Sequence, residues 1–208
     1  MFLLKKENLD KAVELLKKGK ILIFPTETSY GLGCDATNQK AVDKIFKIKG
    51  RQTDKPLLVV APTVELAKKY LEWSDILEKI SSKRWPGPIT VVGKYKINNS
   101  KTEKLKLSDG VAAKDGTVAM RVSDHPVCKF LSEKLGSPLV ATSANLSEAG
   151  DIYDSADAIK IFENREFKPD AILDYGRVPF CKPTTIVSVI EKKIKILRQG
   201  EMNVLHNP

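Results

Sequence analysis

Cysteine is scarce in this chain, and the three it has, Cys34, Cys128 and Cys181, are far apart and odd in number. That pattern excludes a disulfide framework and offers no zinc spacing. Histidine is scarcer still. His125 and His206 are not spaced with the cysteines as ligands, so no protein-bound transition metal is expected. A Ser-His-Asp triad finds little support. His125 precedes Pro126 at an expected helix start, where it reads as a capping or exposed residue, and His206 lies in the tail. No apolar run approaches the roughly 20 residues of a membrane span. The start, Met1-Phe2-Leu3-Leu4-Lys5-Lys6-Glu7, turns charged too soon for a signal peptide, so a cytoplasmic location is the default expectation. The phosphate loop G-x-x-x-x-G-K-[ST] is missing. Gly31-Leu32-Gly33-Cys34-Asp35-Ala36 formally fits G-x-G-x-x-A, but it starts several residues past the strand end, where the fingerprint needs an immediate turn into a helix. Gly31 and Gly33 read instead as loop glycines that permit a tight turn or close approach of a ligand.

What is present suits one domain, residues 1–208, with a real core. The net charge is +9, from 35 Lys and Arg against 26 Asp and Glu. That fits an anionic partner such as a nucleotide or RNA, and equally a Lys-rich solvated surface. Leu9, Ala12, Val13 and Leu16 make one helical stripe, from near Asn8 to Gly19. Ile21–Phe24 is a buried strand ended by Pro25, followed by the glycine-containing loop. Ala41, Val42, Ile45 and Phe46 mark a helix capped at Thr37 or Asn38 and ended by Gly50. A strand at Leu57–Val60 precedes helical pieces near Val64–Leu71 and Asp75–Ser82. Trp85-Pro86-Gly87-Pro88 is a fixed turn into a strand at Ile89–Val92. Residues 94–116 read as a loop or lid-like excursion. Val118–Val122 is a strand, His125-Pro126 opens a helix that Gly136 closes, and Leu139–Ala141 is a strand. A Ser155 cap starts a helix through Ala158, Ile159 and Phe162. Strands follow at Ala171–Leu173, Thr185–Ile190 and Ile194–Leu197, with Glu191-Lys192-Lys193 as the turn of a terminal hairpin. Alternating strands and helices predict an α/β sheet covered on both faces, and the hairpin makes it mixed.

In such sheets ligands sit beyond the carboxyl ends of strands. Polar residues gather there three times: Thr26 to Gly31 after Phe24, Arg121 after Met120, and Thr142-Ser143-Ala144-Asn145 after Ala141. One such case is ordinary turn chemistry; three point to a shared site. Lys49-Gly50-Arg51 has two readings. It can be a plain helix terminus, with cations at the negative end and Gly as the left-handed cap. It can also be a pair of cations converging on phosphates. Ser143-Ala144-Asn145 fits a capped turn as well as a site. Thr184-Thr185 reads as the start of a β-branched strand. These residues by themselves reach an anion-binding α/β protein and no reaction.

Seven motifs in order carry a resemblance. They are Phe24-Pro25-Thr26-Glu27-Thr28-Ser29-Tyr30-Gly31-Leu32-Gly33; Lys49-Gly50-Arg51 with Lys55-Pro56-Leu57; Trp85 to Thr90; Val118-Ala119-Met120-Arg121-Val122 with His125-Pro126; Thr142-Ser143-Ala144-Asn145-Leu146-Ser147; Pro183-Thr184-Thr185-Ile186-Val187; and Ile196-Leu197-Arg198-Gln199-Gly200. Together they resemble the YrdC/TsaC family of L-threonylcarbamoyladenylate synthases, in its short, single-domain form. The resemblance implies a YrdC-like twisted mixed sheet flanked by helices, with a large cationic concave cleft lined by Pro25–Gly33, Lys49–Arg51 and Ser143–Asn145. It implies that L-threonine, bicarbonate or CO₂ and ATP are joined into threonylcarbamoyl-AMP, with diphosphate released. A separate transferase would then carry the group to tRNA, and weak RNA contact is compatible with the charge. Lys49 and Arg51 fall at the catalytic phosphate-neutralising positions. Lys55, Thr117, Ser143, Asn145 and Arg198 fall with them at ATP positions. Thr28, Arg121, Ala141 and Thr184 fall at threonine positions. Val60, Thr184 and Glu148 depart from commoner family residues.

The carbamate formed from threonine and CO₂ is already anionic, so attack on the α-phosphorus needs no protein nucleophile. Catalysis should then be positioning and charge stabilisation, with Arg121 pairing the threonine carboxylate. Mg²⁺ is expected with ATP, held by phosphates and water. Two rivals stand: a non-catalytic module gripping double-stranded RNA or tRNA, and a related enzyme adenylating another carbamate.

Overall fold

Ile21, Leu22, Ile23 and Phe24 are all fully buried, which no one-sided strand requires. The computed structural model, describing residues 1–52, 55–96, 106–146, 150–190 and 193–203, shows why. Strand β2 (Leu22–Pro25) is covered on both faces. Ile23, with the preceding Ile21, packs into one core cluster with Leu32, Val42 and Ile45. Leu22 and Phe24 pack into a second with Val13, Leu16 and Leu131. A continuous apolar run is what burial on both faces demands.

The strands divide between two mixed sheets. The first has five strands in the order β1 (Phe2–Lys5), β9 (Ala171–Asp174), β2, β3 (Tyr30–Gly33) and β8 (Thr142–Ser143). The pairs β1–β9 and β9–β2 are parallel, while β2–β3 and β3–β8 are antiparallel. The second has six strands in the order β11 (Lys195–Arg198), β10 (Thr185–Ser188), β5 (Ile89–Lys94), β6 (Thr117–Val122), β4 (Val59–Ala61) and β7 (Leu139–Val140). The expected terminal hairpin is β10–β11, antiparallel, with Glu191 and Lys192 of its turn outside the described residues.

Tyr30–Gly33 therefore corrects the loop expected there: it is a strand. Its glycines serve close packing. A Cβ on Gly33 would lie 2.0 Å from the Val140 carbonyl oxygen and 2.8 Å from the Phe24 ring. The run Leu139–Ala141 is also not one strand. Val140 pairs in the six-stranded sheet and Thr142 in the five-stranded one, so the chain passes between sheets at Ala141.

Helix signals worked where a side chain caps the end. Helix α2 (Gln39–Lys49) starts at Asn38, whose side chain accepts from Ala41 N, and stops at Gly50 with φ +60°. Helix α5 (Pro126–Leu135) is capped by His125, whose Nδ1 accepts from Val127 N. Helix α6 (Ser155–Phe162) is capped by Asp154 rather than Ser155, whose hydroxyl instead donates to Asp174. Helices α1 (Leu9–Lys17) and α5 lay their buried faces on the second cluster. Helix α3 (Val64–Tyr70) adjoins β4 and β6 of the six-stranded sheet, and α4 (Asp75–Arg84) buries Leu77 and Ile80 in the first cluster. Buried Trp85 donates its indole N–H to Ile89 O at 2.8 Å, anchoring the turn before β5 as expected. No helix among the described residues is long and apolar enough to cross a membrane.

Candidate active site

The turn after β2, strand β6, the β7–β8 crossing and the start of β10 together line one cavity of about 1670 Å³. Ordinary small-molecule pockets run to roughly 1,000 Å³, so this one has room for more than one substrate.

The turn is organised by Thr26. Its hydroxyl donates to Ser29 O at 2.7 Å and accepts from the backbone N–H groups of Thr28 and Ser29. That side-chain turn sets Thr28 on the cavity wall. Glu27, between them, reaches the other sheet. One carboxylate oxygen takes the Nη1 hydrogen bond of Arg121, and the other accepts from Ser123 Oγ at 2.9 Å. Arg121 is 3% exposed, lines the cavity, and has an Nε buried without a hydrogen-bond partner.

Thr184, just before β10, is buried on the same wall and shares a hydroxyl contact of 3.0 Å with Thr90. Arg198 at the end of β11 clamps it. Its Nε and Nη2 donate to Thr184 O at 3.1 and 2.9 Å, and Nη2 also reaches Thr184 Oγ1. Burial, with the Arg121 charge nearby, lowers the Arg198 pKa from its usual value. Thr117 donates its hydroxyl to Asp115 at 2.7 Å. Of the loop expected over 94–116, Lys94 ends β5 and residues 106–116 are irregular chain; Lys106, Leu107, Gly110 and Lys114 are part of the wall, and Leu57 N–H donates to Gly110 O. Residues 97–105 of that stretch lie outside the described residues.

Of the expected threonine residues, Thr28, Arg121, Ala141 and Thr184 all line this cavity; of the nucleotide residues, Arg51, Thr117, Ser143 and Arg198 do. Three residues stand apart from the wall. Lys55 is exposed to one side. Asn145 lies behind the wall, its carbonyl and amide oxygens turned to Lys49. Lys49 is 4% exposed and its ammonium is taken up by Ser143 O at 2.7 Å, Asn145 O at 2.8 Å and Asn145 Oδ1 at 2.9 Å. An ammonium has three donors, and all three go to the loop, so Lys49 shapes the wall instead of forming it. Burial first, then the Arg51 charge, push its pKa down to about 8. Of the two readings of Lys49-Gly50-Arg51, the helix terminus is present, with Gly50 as the left-handed cap; of the two cations, Arg51 alone reaches the cavity. Val60 is fully buried in the second core cluster, away from the cavity wall, and Ser147 and Glu148 lie outside the described residues.

The charged lining among the described residues is mixed. Arg51, Lys106, Lys114, Arg121 and Arg198 are set against Asp43, Asp109, Asp115 and Asp151. No cluster of three or more His, Cys, Asp or Glu among the described residues could hold a metal ion. The described residues do not form a cage for Mg²⁺. Sequence reasoning missed the pairing of Glu27 with Arg121 and Ser123. Glu27 belongs to the run Phe24 to Gly33, but nothing local signals a partner 94 positions away.

A protein of Methanocaldococcus jannaschii is 34% identical over 203 residues, covering 95% of this chain and 89% of its own. A Vibrio vulnificus (strain YJ016) protein named threonylcarbamoyl-AMP synthase is 37% identical over 144 residues, covering 67% of this chain and 73% of its own. The crystal structure of P. abyssi Sua5 complexed with L-threonine superposes with a TM-score of 0.83 at 27% identity, over 96% of this chain. This chain spans only 57% of that structure. The Sua5/YciO/YrdC family model, described as "Telomere recombination", matches residues 14–200, and with a relative this similar across nearly the whole chain, the protein belongs to the Sua5/YciO/YrdC family.

Proposed function

We propose that this protein is a threonylcarbamoyl-AMP synthase, which forms L-threonylcarbamoyladenylate and diphosphate from L-threonine, bicarbonate or CO₂, and ATP. The observation that carries this reading is the single cavity that gathers Arg121, Thr28 and Thr184 on one wall system with Arg51, Ser143 and Thr117. The volume suits an amino acid beside a nucleotide, and the names of the relatives supply the reaction.

In this reading Arg121 takes the threonine carboxylate, and the small side chain of Ala141 leaves room beside it. The carbamate, anionic as formed, attacks the α-phosphorus of ATP, the bond to the diphosphate oxygen breaks, and diphosphate leaves with that electron pair. Arg51 neutralises phosphate charge, while Lys49 holds the Ser143–Asn145 loop in place. Mg²⁺, if it enters with ATP, sits on phosphates and water. Transfer of the group to tRNA falls to a separate enzyme. The mixed charge of the lining favours a small-molecule site over a track for an RNA backbone.

Diphosphate release, followed with threonine, bicarbonate and ATP omitted in turn, tests the reading: each omission should stop it. Arg51→Ala should lower the rate by about a hundred- to a thousand-fold. Release that persists without threonine, or an Arg51→Ala enzyme of wild-type rate, overturns it.

A further inference from the structure

We propose that Glu27, buttressed by Ser123, is a positioning residue that sets the Arg121 guanidinium for the amino-acid carboxylate and so governs threonine affinity. This rests on the function proposed above and goes beyond it, because Glu27 itself does not line the cavity.

Arg121 is an almost fully buried cation, and a buried cation needs a counter-charge. Among the described residues its only salt-bridge partner is Glu27. The pair joins the two sheets: Arg121 belongs to β6 of the six-stranded sheet, and Glu27 to the turn between β2 and β3 of the five-stranded sheet. Glu27 is itself fixed. Its second oxygen accepts from Ser123 Oγ, and that same oxygen atom of Ser123 accepts from His125 N–H at 3.2 Å. The carboxylate thus cannot swing without breaking a chain that ends on the cap of α5.

The guanidinium is planar, so holding Nη1 fixes the direction of every other donor. Nε is left buried, unpartnered and on a side chain that lines the cavity. A buried donor without an acceptor is costly, and an acceptor arriving in the cavity removes that cost. A carboxylate, with several lone pairs in one plane, matches the Nε side of the fork. Arg121 therefore meets the ligand, and Glu27 decides which edge of Arg121 is offered.

The test measures threonine and ATP binding by calorimetry, with KM and kcat, in wild type, Glu27→Gln, Glu27→Asp and Ser123→Ala. Glu27→Gln keeps the size and an acceptor but loses the charge. It should weaken threonine binding by about tenfold or more while ATP binding stays within about twofold. KM for threonine should rise with little change in kcat. Glu27→Asp should restore part of the affinity. Ser123→Ala keeps the ion pair and frees only one oxygen, so a loss of about three- to tenfold is expected; it also keeps the proposal testable should Glu27→Gln fail to fold. Unchanged threonine affinity in folded Glu27→Gln, or in Ser123→Ala, overturns the proposal while leaving the proposed reaction standing. Equal losses for threonine and ATP, with a lowered melting temperature, would mark a purely structural pair and also overturn it. Wild-type protein that binds ATP and no threonine would overturn the proposed reaction and this inference together.

Discussion

Lys49 shows how one residue can oppose itself in stability and activity. Its ammonium holds three loop oxygens while charged. A neutral amine has two donors, so deprotonation releases one of those contacts and loosens Ser143 at the cavity wall. With the folded pKa at about 8, the rate should fall as pH rises through 8. Stability runs the other way. Unfolded Lys49 titrates near 10.5, so between about 8 and 10.5 the unfolded chain holds one more proton and folding gains from rising pH. Below about 8 the lysine is charged in both states and this contribution is flat. A pH series of rates beside a pH series of denaturant midpoints should show the two curves diverging there, and Lys49→Met should lack the limb near 8 in both. From the sequence, Lys49 and Arg51 looked equivalent, because two residues of spacing at a helix end say nothing of depth. The end of α2 buries one side chain and leaves the other on the wall.

At the scale of elements, the apolar runs were legible and the short strands were not. β2 shows as four consecutive apolar residues because both its faces are covered. β3 has two glycines in four residues and reads as a loop, since glycine weakens a strand unless another backbone comes close. Here one does: the Val140 carbonyl occupies the place of a Gly33 side chain. Gly33→Ala should therefore destabilise the fold by about 1–3 kcal/mol or more, through forced separation of β3 and β7, measured as a lower urea midpoint with an unchanged m-value. Gly50→Ala, where no atom stands within 4 Å, should cost about 1 kcal/mol from its left-handed backbone alone. Caps were legible because Asn38 and His125 act on their own helices within three residues.

For the molecule as a whole, the strand ends identified which residues converge, but not how the sheet splits. Thr28, Ala141 and Thr184 meet in space because one cavity takes its lining from both sheets, and no local pattern encodes a meeting of distant strands. The site draws its walls from both sheets, so a ligand filling it stabilises their association. Threonine and ATP, each at about 100 times its dissociation constant, should each add about 2.7 kcal/mol to stability. Thermal shift should show each raising the melting temperature, with the larger rise when both are present. No shift with either would contradict binding at this cavity.

The passage of the chain from one sheet to the other within Ala141 has a mechanical consequence. Val140 pairs with Val59 in the six-stranded sheet, and Ala144 N–H is tied to Tyr30 O in the five-stranded one. A single residue between two anchored segments works as a rivet. The sheets cannot slide apart near the threonine residues without shearing it, so the gap there is set when the chain folds. Any adjustment to substrate then falls to the side chains that line the cavity.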